Sequence, residues 1–171
     1  MEFSKRDLTL PFLDVSDAFN PVNRDVDASE YLGRAYLFWT PHRWLALRAQ
    51  YIFERFERDV LTPRELDTQR VPVGIGFFHP SGLSASLTAT YWDQDVRTTE
   101  FLDNTVLRSG SDEFWTVDAA ISYRLPKRYG VISVGATNLF DQEFNFFEVD
   151  FDNPTIQPTR TVFARVTLAF P

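Results

Sequence analysis

Seven stretches of this chain alternate apolar and polar residues with a period of two, a pattern that admits few folds other than an antiparallel sheet with unlike faces. Residues 31–39 set Tyr31, Gly33, Ala35, Leu37 and Trp39 against Arg34 and Tyr36. Residues 45–55 set Leu45, Leu47, Ala49, Tyr51 and Phe53 against Arg48, Gln50 and Glu54. The same spacing recurs through Val71 to Phe77, Leu83 to Tyr91 and Trp115 to Tyr123, with Thr88 and Asp118 on the polar sides, and through Ile132 to Ala136. Last comes Val162, Ala164, Val166, Leu168 and Phe170 against Thr161, Arg165 and Thr167.

Between these stretches, brief connections at 40–44, 78–82 and 124–130 alternate with long polar ones at 57–70, 93–113 and 141–159, as in an up-and-down meander. Pro72 cannot donate to a ladder and is expected near a strand start. Residues 1–28 read as an extracellular loop or partial strand, with 14–29 a polar loop, and residues 29–171 as one unit.

Which solvent such a sheet meets is a matter of composition. Charges or Pro interrupt every apolar window, so no run reaches the roughly 18 residues of a spanning helix; spanning strands need only about 9 to 11. The polar sides carry Arg34, Arg48, Glu54, Asp118 and Arg165, whereas the apolar sides carry no charge. Rings cluster at the ends of the apolar sides: Trp39, Tyr123 and Phe170 near the short connections, and Tyr31, Phe53, Tyr91 and Trp115 near the long ones. Two aromatic belts are what two bilayer interfaces select. The expectation is all-β, an antiparallel transmembrane β-barrel meander, a partial barrel of 7–8 strands in a bacterial outer membrane, with the five charged residues facing the lumen. A soluble barrel binding a lipophile inside its apolar face would share the alternation with the faces reversed.

A net charge of −7 argues against nucleic acid as a partner, and the lack of cysteine removes disulfides and thiolate chemistry. The opening residues contain no apolar core of a secretory signal, so the chain reads as a fragment of an exported protein.

The segment Gly135-Ala-Thr-Asn-Leu-Phe-Asp141, followed by a loop and the terminal Arg160-Thr-Val-Phe-Ala-Arg-Val-Thr-Leu-Ala-Phe170, resembles the C-terminal end of TonB-dependent outer-membrane receptors. The match covers about the last sixty residues. The resemblance implies a receptor or transporter-like barrel for nutrient uptake, in contact with outer-membrane lipid and lipopolysaccharide. It further implies docking of Val162, Ala164, Val166, Leu168 and Phe170 on the barrel-assembly machinery, and coupling to a TonB-type complex through N-terminal parts outside this chain. A barrel that only anchors a periplasmic module is the alternative.

Catalysis has little support, and neither a cofactor nor a metal is expected. His42 and His79 each sit beside a proline in a short turn with no third partner for a triad. Glu143, Glu148, Asp150, Asp152 and Asn153 offer oxygens for Ca²⁺, but without an EF-hand spacing or its glycine they read as a solvated acidic loop.

Overall fold

The computed structural model describes residues 1–14, 21–58, 63–99, 107–147 and 159–169. Its elements are β1 (Glu2–Asp14), β2 (Val22–His42), β3 (Leu45–Arg58), β4 (Glu65–Phe78), β5 (Leu83–Thr99), β6 (Leu107–Arg124), a 3₁₀ turn (Pro126–Arg128), β7 (Gly130–Thr137) and β8 (Thr161–Leu168). All eight strands form one antiparallel sheet in chain order, open between β1 and β8. The chain is therefore all-β, with every strand beside its neighbour in sequence.

Sequence patterning finds the strands but ends them too early. Residues 22–29, expected in a loop, continue β2 and pair with β1. The expected loop at 57–70 shrinks because Glu65–Arg70 belong to β4, and the one at 93–113 shrinks because β5 runs to Thr99 and β6 starts at Leu107. Pro72 lies inside β4 rather than at its start; the β3–β4 ladder skips the residues opposite it, between Ala49↔Val73 and Ile52↔Arg70. In these extensions the outer side turns charged while the other side buries Val26, Ala28, Leu66 and Val96, so the alternation reverses its sense and the ladder outlasts the pattern that marks the strands in sequence.

The short connections depend on unusual backbone geometry. Gly130 has φ 150°, and a Cβ there would lie 2.0 Å from the Thr167 carbonyl oxygen, so the 125–129 turn can meet β8 only at a glycine. His42 accepts from the Trp44 N–H through Nδ1 (3.3 Å) and His79 from the Ser81 N–H (3.2 Å), which gives both histidines a turn-forming role.

One face of the sheet holds nearly all the buried residues: Val26, Ala28, Ile52, Phe56, Leu66, Thr68, Gln94, Val96 and Phe114 lie on it by register and are each under 9% exposed. We term this the inner face, and the other the outer face.

Candidate functional site

Two features stand out on this sheet, a band on the outer face and a polar surface on the inner one. Register makes the band continuous. Trp39, Leu47, Ile75, Leu87, Ala119, Ala136 and Val162 are successive cross-strand partners along one line from β2 to β8. Flanking lines add Leu37, Ala49, Val73, Phe77, Ile121, Val134 and Val166, with Leu37 65%, Ile121 60% and Val166 61% exposed. Seven strands at about 4.8 Å spacing, contributing from roughly 13 Å on β7 to roughly 26 Å on β2, present on the order of 750 Å² of apolar surface, above the roughly 300–600 Å² of the largest patch on a typical soluble monomer.

The rims of the band are sharp and inclined to the strands. Toward the long connections the outer face changes from Tyr31 to Ser29, from Phe53 to Arg55, from Val71 to Gln69, from Tyr91 to Asp93, from Trp115 to Glu113 and from Val162 to Arg160. Relative to the line through Trp39 and Val162, this rim lies eight residues along β2, at Tyr31, and none along β8. The opposite rim slips six residues, from Trp39 itself to Leu168. Over six strand-to-strand steps the slip is about 1.0–1.3 residues per strand. At about 3.3 Å per residue and 4.8 Å per strand, that equals a tilt of roughly 35–42°.

Aromatic rings mark these rims. Tyr31, Phe53, Tyr91 and Trp115 each stand immediately before the first polar outer residue of that rim, with Tyr91 and Trp115 paired across strands at 5.1 Å between centroids. Trp39, Phe77 and Tyr123 stand toward the short connections; Phe170 lies outside the described residues.

Beyond the rim the outer face is occupied by ion pairs. Arg55 grips Asp67 through two hydrogen bonds of 2.6 Å, and Arg97 pairs with Glu65 at 2.9 Å. On β1 the Lys5 ammonium, helped by the Ser29 hydroxyl, holds the Asp7 carboxyl below its ordinary range.

The inner face carries Arg34, Arg48, Glu54, Asp118 and Arg165 together, as register requires. Arg48, Gly74, Thr88 and Asp118 lie on one line; Arg48 crosses Gly74 and donates to the Thr88 hydroxyl at 2.6 Å. A Cβ on Gly74 would stand 2.6 Å from Arg48 Nε. Gly74→Val should therefore expel the guanidinium and cost about 1–3 kcal/mol in urea unfolding, whereas Thr88→Val should cost less.

Asp118 accepts the Asn138 backbone N–H (3.0 Å) and so anchors the Asn138-Leu-Phe-Asp141 element, a turn with Asn138 at φ 47° and Asp141 at φ 58°. The Asn138 side chain, only 3% exposed, closes the turn by donating to the Gln142 carbonyl and accepting the Gln142 N–H. Asp118→Ala should lower the melting midpoint, at a cost of about 1–2 kcal/mol, with Asp118→Asn retaining much of the stability because an acceptor remains.

After this turn, residues 141–147 fold back over the inner face, an arrangement the sequence pattern does not reveal. Phe144 stacks on Phe114 at 4.2 Å, Phe146 meets Trp92 edge-on at 5.7 Å, and Arg70 lies over Trp92 at 5.2 Å. Gln94, 1% exposed, donates to the Phe147 carbonyl and accepts its N–H, which binds the segment as a strand neighbour would. The sequence signal was three phenylalanines in Phe144-Asn-Phe-Phe147, apolar residues that a purely solvated loop has no use for.

Among the described residues no cluster of His, Cys, Asp or Glu could hold a metal. Of the acidic candidates, Glu143 is described, and Glu148, Asp150, Asp152 and Asn153 lie outside the described residues. Fold and surface together define an all-β meander with an exposed apolar outer band and an inner face that combines polar and charged residues with the buried apolar ones. No family model matches the chain, and no curated protein or solved structure matches it.

Proposed function

We propose that this chain is the C-terminal part of an outer-membrane β-barrel of the receptor or transporter type, similar to TonB-dependent receptors. Its outer band lies in lipid, and its inner face lines a route or binding surface for a small nutrient. The observation that carries this reading is the inclination of the band. A planar bilayer crossed by strands tilted about 35–45° must cut them along a line that slips from strand to strand. The slip here corresponds to roughly 35–42°. On β5 the band runs from Leu83 to Tyr91, about 26 Å along the strand and about 20 Å along the tilted normal before side chains are added, close to the ~25 Å apolar band of such barrels.

The outer face argues against a soluble lipophile carrier, which would bury Leu87 and Ile121; here they are 45% and 60% exposed. We read the protein as non-catalytic. Its partners are lipid and lipopolysaccharide, the barrel-assembly machinery through the free edge of β8, and a TonB-type complex through other segments. Assembly by strand addition suits β8 because it has no neighbour on its far side among the described residues.

Refolding the chain into lipid vesicles and floating them on a density gradient tests the location. Co-flotation that survives alkaline washing is expected, and protein left at the bottom of the gradient refutes it. The 141–147 segment, which covers part of the inner face, favours a second reading in which the barrel anchors a module without transport. Vesicle swelling in small sugars separates the two, since only a conducting barrel swells.

A further inference from the structure

We propose that Arg34 and Arg70 form an oxyanion-binding subsite on the inner face, and that the pocket beside them takes the apolar body of a singly charged organic carboxylate. This inference rests on the inner face being open to solute, as in the function proposed above.

Arg34, Ile52, Arg70 and Trp92 are successive cross-strand partners on one line. The two arginines are thus two strands apart, about 10 Å between their backbones, with Ile52, 7% exposed, as the floor between them. Arginine side chains at that backbone separation on one face are long enough to reach a common oxyanion between them, and the planar fork suits a carboxylate better than an ammonium does. Both Nε atoms are buried and have no hydrogen-bond partner. A buried donor left in that state is costly, and an acceptor arriving between the two side chains relieves it.

The rest of the arrangement selects charge and shape. Arg70 is held by Glu54 (2.9 Å) and by the face of Trp92, so it is placed before any ligand binds. Arg34 has no ion pair among the described residues, although Glu2 stands opposite it on β1. Glu54 is engaged by Arg70, and Glu2 makes no ion pair with Arg34, so the Arg34 guanidinium is the cation left to answer a ligand, which favours a monoanion. Glu54, the partner of Arg70, also lines a neighbouring pocket of about 530 Å³ whose walls combine Leu32, Phe56 and Leu66 with the charged Arg6, Glu30 and Arg55. That volume lies within the roughly 300–1,000 Å³ of small-ligand sites, and the lining offers apolar contact for a body of that size.

Titration calorimetry on the full chain, folded in detergent micelles, tests the subsite with 3-phenylpropionate, 3-phenylpropionamide and inorganic phosphate as probes. The expected result is saturable 1:1 binding of 3-phenylpropionate at least about tenfold tighter than of the amide or of phosphate. Arg34→Gln should weaken it about tenfold, Arg34→Lys should recover part of the loss, and Lys127→Gln in the 125–129 turn should leave it unchanged. Circular dichroism of each variant confirms that the sheet has formed. Equal affinity for acid and amide, undiminished binding by folded Arg34→Gln, or an equal loss in Lys127→Gln overturns the proposal. A preparation that floats with vesicles yet shows no preference for the acid refutes the subsite alone; one that binds the acid yet fails to float refutes the membrane location alone.

Discussion

Leu87→Arg should lower the stability of the lipid-inserted protein by about 2–4 kcal/mol, while Ser86→Arg, its neighbour in sequence, should cost far less. Leu87 is the middle outer residue of β5 between Leu83 and Tyr91, and its line runs through Ile75 and Ala119. A guanidinium there sits at the centre of the band, which in the proposed bilayer location is equally far from water on both sides. Ser86 lies on the inner face opposite Gly76 and Ala120, where a long cation reaches solvent. In a water-soluble sheet the result would differ: Leu87 is already 45% exposed, and a charge at such a position changes stability by only about 0.5 kcal/mol. Urea unfolding of both variants in lipid vesicles, followed by tryptophan emission, separates the two cases. A Leu87→Arg protein as stable as its parent would remove lipid from the outer face.

Gln94→Leu should cost about 2–5 kcal/mol and release residues 141–147 from the inner face. Leucine keeps the volume but loses the bonds to Thr68 (3.0 Å) and to the Phe147 carbonyl (3.2 Å) and N–H (3.1 Å). The part-buried Phe147 amide would then have to leave its position or stay unpaired, and leaving takes Phe144 and Phe146 away from Phe114 and Trp92. The measurable signs are a lower urea midpoint and a red shift of tryptophan emission in the folded baseline. Phe144→Ala should give the same spectral change with a smaller loss, because it removes one stacked ring and no hydrogen bond. An unaltered midpoint in Gln94→Leu would mean that other contacts hold the segment down.

Much of the sheet was legible in the sequence because burial and exposure alternate with the pleat. Each of the seven expected strands lies in the sheet, and β1 is the eighth. Strand ends were not legible. Ser29, Asp27 and Asp25 on β2, and Asp93, Asp95 and Arg97 on β5, look like loop residues, yet they continue ladders whose outer faces carry charge. Gln94 was equally hidden, since a glutamine among aspartates reads as solvated until the chain returns 53 residues later to cover it.

What the sequence by itself determined is the local order: a period of two, apolar and polar sides for each strand, and turns where proline, glycine and asparagine require them. These depend on φ/ψ sterics and on side chains within one strand, so they are written in neighbouring residues. Only the tertiary structure decided how the sides add up. Register joined seven apolar faces into one inclined band, and it put Arg34 level with Arg70 and Arg48 level with Thr88. A one-residue slip in any ladder would have reversed a face, and backbone hydrogen bonding alone does not forbid such a slip. The register is set by turn geometry, cross-strand packing and the returning 141–147 segment acting together, and those are contacts between residues far apart in the chain.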